Sequence, residues 1–151
     1  MSVQPSAAPP GILVADDDEN IRFLLRLTLR QAGFDPLLAA DGHAAVELFR
    51  RHRDRIQVVL LDVKMPGLDG PGALAQIRQI APQVPFCFMT GHAAHYGADN
   101  LLALGAARVF EKPFDLDDLI ETLGELCDRP RLPPAVSPGT KFADLTPPTE
   151  R

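Results

Sequence analysis

The stretch Leu60–Gly67, which reads LLDVKMPG, places an aspartate directly between an apolar run and a turn. The apolar residues before Asp62 predict a buried β-strand, and the Pro-Gly pair after it predicts a turn. An aspartate in this position is often only the first residue of a loop. It can also be a carboxylate that a sheet holds at its edge for chemistry. The residues at the ends of the other strands decide between these two interpretations.

The composition predicts an ordinary globular domain and argues against several functions. The 151 residues are 46% hydrophobic, which is typical of a chain with a sizeable core. The formal net charge of −5 argues against general nucleic-acid binding, which needs a basic surface. No apolar run approaches the roughly 18 residues of a membrane span, and no secretory signal pattern is present. Cys87 lies in the apolar run PFCFM, which predicts a free buried thiol and a reducing, cytoplasmic location.

Two Pro-rich segments flank the patterned part of the chain. Residues 1–10 are predicted to be a disordered lead, and residues 129–151 a disordered tail. The tail is open to three interpretations, namely a peptide ligand for a partner, a linker, or a passive extension. The folded domain is predicted at residues 11–128.

Within this domain, short apolar runs alternate five times with segments of helical spacing. The alternation predicts an α/β fold with a five-stranded parallel sheet and five helices distributed over both of its faces. The predicted strands are residues 11–15, 35–40, 57–61, 85–90 and 108–111. The predicted helices are residues 19–33, 43–52, 72–80, 96–106 and 116–127.

In an open α/β sheet, functional sites form beyond the carboxyl ends of the strands. The residues at these ends are Asp16, Asp17, Asp62, Thr90 and Lys112. Neighbouring carboxylates repel one another and raise each other's pKa, so a positive charge must offset them. Mg²⁺ prefers such hard oxygen ligands, Lys112 adds a mobile positive charge, and Thr90 adds a hydroxyl donor. Together these groups are suited to phosphoryl transfer onto the carboxylate of Asp62, which would give an acyl phosphate.

Four segments carry a resemblance to a known family, and they read ILVADDDEN, LLDVKMPGLDG, MTGHA and EKPF. In this order and at this spacing they resemble the receiver domain of response regulators, over residues 11–128. The resemblance implies a flavodoxin-like doubly wound fold with a phosphoryl acceptor at Asp62. The donor that it implies is the phosphohistidine of a sensor histidine kinase or of a histidine phosphotransfer protein.

The resemblance also implies roles for the residues around the acceptor. The implied ligands of Mg²⁺ are Asp16, which assists, Asp17, Asp62 and the backbone carbonyl of Lys64. Thr90 and Lys112 would contact the phosphoryl oxygens, and a cis bond before Pro113 would aim the lysine. Asp18 matches no such position and is predicted to be a helix N-cap.

Three positions depart from the usual pattern of the family. An aromatic residue often stands three positions before the lysine, whereas this chain has Val109 there and Phe110 one position later. Because the faces of a strand alternate, Phe110 is predicted to lie in the core and not to replace the aromatic partner of the Thr. Lys64 and His92 stand at two positions that tune phosphate lifetime in the family. They are either exposed loop residues or determinants of the dephosphorylation rate.

The first predicted helix has apolar residues on two sides. At about 100° per residue, the side predicted to face the core is formed by Ile21, Leu24, Leu25, Thr28 and Leu29. Phe23 and Leu27 fall on the far side, and the arginines beside them include Arg22 and Arg26. This pattern predicts a docking surface, which in the family meets the helical bundle that carries the phosphohistidine. The alternative is that the apolar pair lies against neighbouring side chains and binds nothing.

Four functions are compatible with the chain to different degrees. The first is a stand-alone switch, a monomer or weak dimer, whose output is contact with a downstream protein or onward phosphotransfer. The second is the receiver part of a longer regulator, and the third is a phosphate-independent binding module. The fourth, a haloacid-dehalogenase-type phosphatase, requires a second Asp where Lys64 stands. We therefore expect a protein that catalyses only its own phosphorylation and dephosphorylation, without direct binding to nucleic acid or membrane.

Overall fold

The computed structural model describes residues 8–91 and 97–128, and strands and helices alternate there as predicted. The strands are β1 (Gly11–Ala15), β2 (Asp35–Ala39), β3 (Ile56–Asp62), β4 (Phe86–Thr90) and β5 (Arg108–Glu111). The helices are α1 (Glu19–Gln31), α2 (Gly42–His52), α3 (Gly70–Ile80), α4 (Gly97–Ala103) and α5 (Leu116–Asp128). The first seven residues of the predicted lead, the predicted tail and His92 lie outside the described residues.

The five strands form one parallel sheet in the order β2-β1-β3-β4-β5, which confirms the predicted fold class. β3 occupies the centre, and all of its residues except Gln57 are buried. A strand that is covered on both faces reads as a nearly continuous apolar run, which explains the sequence before Asp62.

The two faces of the sheet carry separate hydrophobic cores. One core includes Phe49 from α2, Leu74 from α3 and Leu101 from α4. The other lies between the sheet and the pair α1 and α5, and it also contains Cys87 and Phe110. The buried free thiol at Cys87 and the core position of Phe110 are therefore both confirmed.

α1 follows its predicted pattern with one exception. Asp18 is the N-cap, as predicted, and its side chain accepts a hydrogen bond from the backbone N–H of Asn20 at 2.8 Å. Leu25 and Leu29 are completely buried, but Leu24 is 40% exposed, so its assignment to the core side was wrong. Leu24 lies about 100° from Leu25 around the helix axis, which turns it away from the sheet.

The loop after β3 is held by close backbone contacts on two sides. α3 begins at Gly70, two residues before the predicted start, because the side chain of Asp69 caps it. A Cβ atom at Gly70 would overlap the backbone carbonyl of Asp62, and a Cβ at Gly42 would overlap that of Leu68. The first turns of α2 and α3 therefore both lie against the loop that follows Asp62.

α4 is shorter than the predicted helix over residues 96–106. It ends at Ala103, and Gly105 then adopts a φ of 105°, a left-handed conformation that favours glycine at a helix end. Among the described helices, none is long and apolar enough to cross a membrane.

Candidate functional site

The strand register brings the acidic residues together at the carboxyl edge of the sheet. Ala15 pairs with Leu61, so the residues that follow them, Asp16 and Asp62, lie side by side. On the other side of β3, Asp62 pairs with Met89, directly before Thr90. The residues at or directly after the ends of β1, β3 and β4 thus lie close together, as the sequence predicted.

Asp16 is completely buried and is held through both its backbone and its side chain. Its backbone N–H donates to the carbonyl of Ala39 at 3.1 Å, and its Oδ1 accepts from the N–H of Asp18 at 2.8 Å. Its backbone carbonyl accepts a hydrogen bond from Arg22 Nη1 at 2.8 Å. Its Oδ2 lies 2.8 Å from Lys112 Nζ. These contacts fix the direction of the carboxylate.

Lys112 joins the two buried carboxylates. Its Nζ lies 3.4 Å from Asp62 Oδ1 in addition to its closer contact with Asp16. Its backbone N–H donates to the carbonyl of Thr90 at 2.9 Å, and the Lys112–Pro113 bond is cis, which confirms that prediction. Burial opposes the charged form, but bonding to the two carboxylates keeps the pKa of Lys112 above its ordinary value.

The Asp62 carboxyl group has a strongly perturbed proton equilibrium. Burial, followed by repulsion from Asp16, raises its pKa from 3.8 to about 7. Attraction and hydrogen bonding to Lys112 act in the opposite direction, and Asp17 adds a smaller upward effect. One lysine therefore does not offset three neighbouring carboxylates, as the strand-end pattern predicted.

The same three carboxylates have the geometry of a cation site. Asp16, Asp17 and Asp62 each offer an oxygen, and these oxygens lie within 4.8 Å of one another. Asp16 Oδ2 is buried and lies 2.8 Å from Lys112 Nζ, and a carboxylate oxygen can accept a cation in addition to such a contact. A donor set made only of oxygens fits Mg²⁺ better than a soft metal. The Lys64 carbonyl stays a predicted additional ligand.

Thr90 lies at the end of β4 with only 3% of its surface exposed, so its hydroxyl is within the buried edge of the site. Lys64 is exposed, two residues beyond Asp62. The tuning role of Lys64 and of His92, which lies outside the described residues, stays a prediction. Val109 is half-buried and packs against the core on the α4 side of the sheet, where the family often has an aromatic residue.

The predicted docking pair is at the surface. Phe23 is 56% exposed and Leu27 is 43% exposed, and the unexpectedly exposed Leu24 lies on the same helix. The guanidinium of Arg26 lies over the Phe23 ring, with 5.8 Å from Cζ to the ring centroid. We use the name α1 face for Phe23, Leu24 and Leu27.

Arg22 has a contact that the sequence analysis missed. We expected it to flank the docking pair, but its guanidinium reaches the backbone carbonyl of Asp16. No sequence signal marks this contact, because a hydrogen bond to a backbone carbonyl six residues away depends only on loop geometry. Arg22 therefore connects the α1 face to the acidic site.

Comparisons with known proteins agree with this geometry. Residues 12–124 match the response regulator receiver domain. A putative NtrX-like response regulator of Rickettsia typhi is 33% identical over 123 residues, which cover 80% of this chain and 26% of the relative. The regulatory protein AtoC of Escherichia coli is 38% identical over 109 residues, which cover 72% of this chain and 23% of the relative.

A solved receiver domain protein from Clostridium thermocellum has a TM-score of 0.74 and 29% identity, covering 80% of this chain and 95% of that chain. The chain spans about a quarter of the length of the two curated relatives. Its own match to the receiver domain nevertheless extends from β1 into α5. The fold, the acidic strand ends and this match agree, and the chain belongs to the family of response regulator receiver domains.

Proposed function

We propose that this receiver domain is a Mg²⁺-dependent phosphoryl acceptor whose acceptor group is the carboxylate of Asp62. One observation carries the proposal: Lys112 Nζ lies between the buried carboxylates of Asp16 and Asp62, with Asp17 beside them. The residues that would hold Mg²⁺ are Asp17 and Asp62 with the Lys64 carbonyl, and Asp16 assists. When bound, Mg²⁺ supplies positive charge for the carboxylates and for the transferring phosphoryl oxygens.

The chemistry of the chain's own groups follows from their positions. A deprotonated oxygen of Asp62 attacks the phosphorus of a phosphohistidine, and the P–N bond breaks. The electron pair of that bond stays on the imidazole nitrogen, and the new O–P bond makes an acyl phosphate. Lys112 places its charge where the phosphoryl oxygens arrive, and the hydroxyl of Thr90 donates to one of them.

The donor is a sensor histidine kinase or a histidine phosphotransfer protein, because transfer between such proteins and receiver domains is the activity of the family. The α1 face is the docking surface for it. An exposed phenylalanine and two exposed leucines on one helix form an apolar patch of the kind that partners cover. α1 begins three residues after Asp16, so a partner on this helix has its histidine close to Asp62.

The output of the phosphorylated state is a contact with another protein or onward transfer of the phosphoryl group. We propose no enzymatic activity on other substrates, because Lys64 stands where a phosphatase of the haloacid-dehalogenase type needs its acid. A second form of the function is that this chain is the receiver part of a longer regulator. The observation that favours it is that the two curated relatives are about four times as long as the matched region.

The test is incubation with acetyl phosphate and Mg²⁺, followed by intact mass measurement. We expect the wild type to gain one phosphoryl group, and Asp62→Asn to gain none. Asp54→Asn is the matched control, because Asp54 is an exposed aspartate in the loop between α2 and β3. Omission of Mg²⁺ should abolish the gain. A phosphoryl group on Asp62→Asn, or none on the wild type with any small donor, would refute the proposal.

A further inference from the structure

Arg22 reaches the acidic site from the surface of α1. It is the fourth residue of that helix, and its Nη1 donates to the Asp16 carbonyl at 2.8 Å. We propose that Arg22 is a positioning residue that orients the peptide group between Asp16 and Asp17 and thereby sets the affinity of the site for Mg²⁺. This inference rests on the proposed function, and it concerns a residue that does not itself contact the metal.

The need for such a contact follows from the length of the loop. Only residues 16–18 separate β1 from α1, so the chain must change direction within three residues. Asp16 keeps a strand-like hydrogen bond through its N–H to Ala39, and Asp18 already caps the helix. The peptide group between Asp16 and Asp17 lies between these two fixed points, and its carbonyl accepts a hydrogen bond from Arg22.

The orientation of that peptide group affects the positions of two carboxylates, those of Asp16 and Asp17. Rotation of its plane would move the Asp16 side chain away from Lys112 and would redirect the exposed side chain of Asp17. Both residues belong to the group whose oxygens lie within 4.8 Å of one another. Groups that orient metal ligands without touching the metal typically change its affinity by about 10- to 100-fold.

The charge of Arg22 gives the test a clear direction. A positive charge near a cation site weakens cation binding by repulsion, so removal of that charge alone should strengthen Mg²⁺ binding. Loss of the hydrogen bond should weaken Mg²⁺ binding, because the ligands lose their orientation. The sign of the change in affinity therefore separates a positioning role from a purely electrostatic one.

The experiment is a Mg²⁺ titration of the full chain in which amide chemical shifts in NMR spectra report binding, and it is carried out for four proteins. They are the wild type, Arg22→Met, Arg22→Lys and the control Arg30→Met. Arg30 is an exposed arginine in the last turn of α1, so its loss removes the same charge from the same helix. We expect the Mg²⁺ dissociation constant of Arg22→Met to rise about tenfold, the lower end of the range for such orienting groups. The Mg²⁺ dissociation constant of Arg30→Met should stay within about twofold of the wild-type value. Arg30 lies about two helical turns beyond Arg22, and a surface charge there is screened by salt.

Arg22→Lys keeps the charge but loses the planar guanidinium, so we expect its affinity to fall as well. The rate of phosphorylation by acetyl phosphate should recover in Arg22→Met when Mg²⁺ is raised to saturation. Urea unfolding in EDTA shows whether each variant is folded, and a role in folding alone would lower stability without changing Mg²⁺ affinity.

Equal or tighter Mg²⁺ binding by Arg22→Met would overturn the inference, and so would a rate that stays low at saturating Mg²⁺. Absence of Mg²⁺ binding in the wild type would instead overturn the proposed function itself. The two failures are therefore distinguishable in one set of titrations.

Discussion

The raised pKa of Asp62 predicts that this carboxylate, the proposed phosphoryl acceptor, destabilises the folded protein when no metal ion is bound. In the unfolded chain this group has its ordinary pKa of 3.8, whereas in the folded protein burial and Asp16 raise the pKa to about 7. Below pH 3.8 Asp62 is protonated in both the folded and the unfolded protein, so it does not change the free energy of unfolding. Between the two values only the unfolded chain loses the proton, so the free energy of unfolding falls as pH rises.

The magnitude follows from the size of the shift. A shift of about three units corresponds to roughly 4 kcal/mol at about 1.4 kcal/mol per unit. The side chain of Asp62 is 7% exposed at the edge of the sheet. Water at that edge reduces the cost of ionisation. We therefore expect the ionised Asp62 to lower the free energy of unfolding by about 2–4 kcal/mol above pH 7. The substitution Asp62→Asn removes this cost because an amide has nearly the same shape and no charge.

The assay is urea unfolding in EDTA at pH 4.5 and at pH 8. Asp62→Asn should be more stable than the wild type at pH 8. The difference should shrink to about 1 kcal/mol at pH 4.5, which is only slightly above the ordinary pKa of 3.8. On the proposed function Mg²⁺ binds the folded wild type, so adding it should narrow the difference in stability at pH 8. Asp54→Asn serves as the control and should show no such pattern. A difference that is the same at both pH values, or a less stable Asp62→Asn at pH 8, would refute the reasoning.

Three further predictions follow from the site and its surroundings. Lys112→Met should raise the pKa of Asp62 above about 7 in EDTA, because the attraction to Lys112 that lowers this pKa is lost. NMR titration of the carboxyl group measures the pKa, and an unchanged or lower value would contradict the prediction. Phe23→Ala and Leu27→Ala should each slow phosphotransfer from the partner kinase by about tenfold and leave phosphorylation by acetyl phosphate unchanged; equal losses with both donors would argue against docking. Cys87 is completely buried, and burial raises its pKa to about 12, so it should resist a thiol reagent at pH 8 until urea unfolds the protein. Mass mapping of labelled peptides measures this, and labelling of Cys87 in the folded protein would contradict the prediction.

The sequence predicts the sheet better than the helices that cover it. β1 and β5 begin and end at the predicted residues, because short apolar runs bounded by polar residues leave few choices. The start of α3 was placed after Pro71, two residues late, although Asp69 is a local N-cap signal for the observed start. Leu24 was misplaced because helical spacing gives an angle around α1 but not the width of the sheet below it.

Some features of the candidate site could be predicted from the sequence, and others could not. The clustering of Asp16, Asp62 and Lys112 follows from topology alone, because parallel strands end at the same edge. The contact of Arg22 with a backbone carbonyl does not follow, since it depends on the path of a three-residue loop. The raised pKa of Asp62 was expected in direction, and its value needed the burial and the distances of the folded structure.

The placement of one site group on each of several strands has a consequence for biosynthesis. Asp16 directly follows the first strand and Lys112 directly follows the last, so the site depends on nearly the whole length of the domain. During translation Asp62 emerges well before Lys112, and a chain released between these points lacks part of the proposed acceptor site. On the proposed function, a nascent domain therefore has no complete phosphoryl-acceptor site until its last strand has joined the sheet. Phosphorylation by a small donor would accordingly report that the domain is fully assembled.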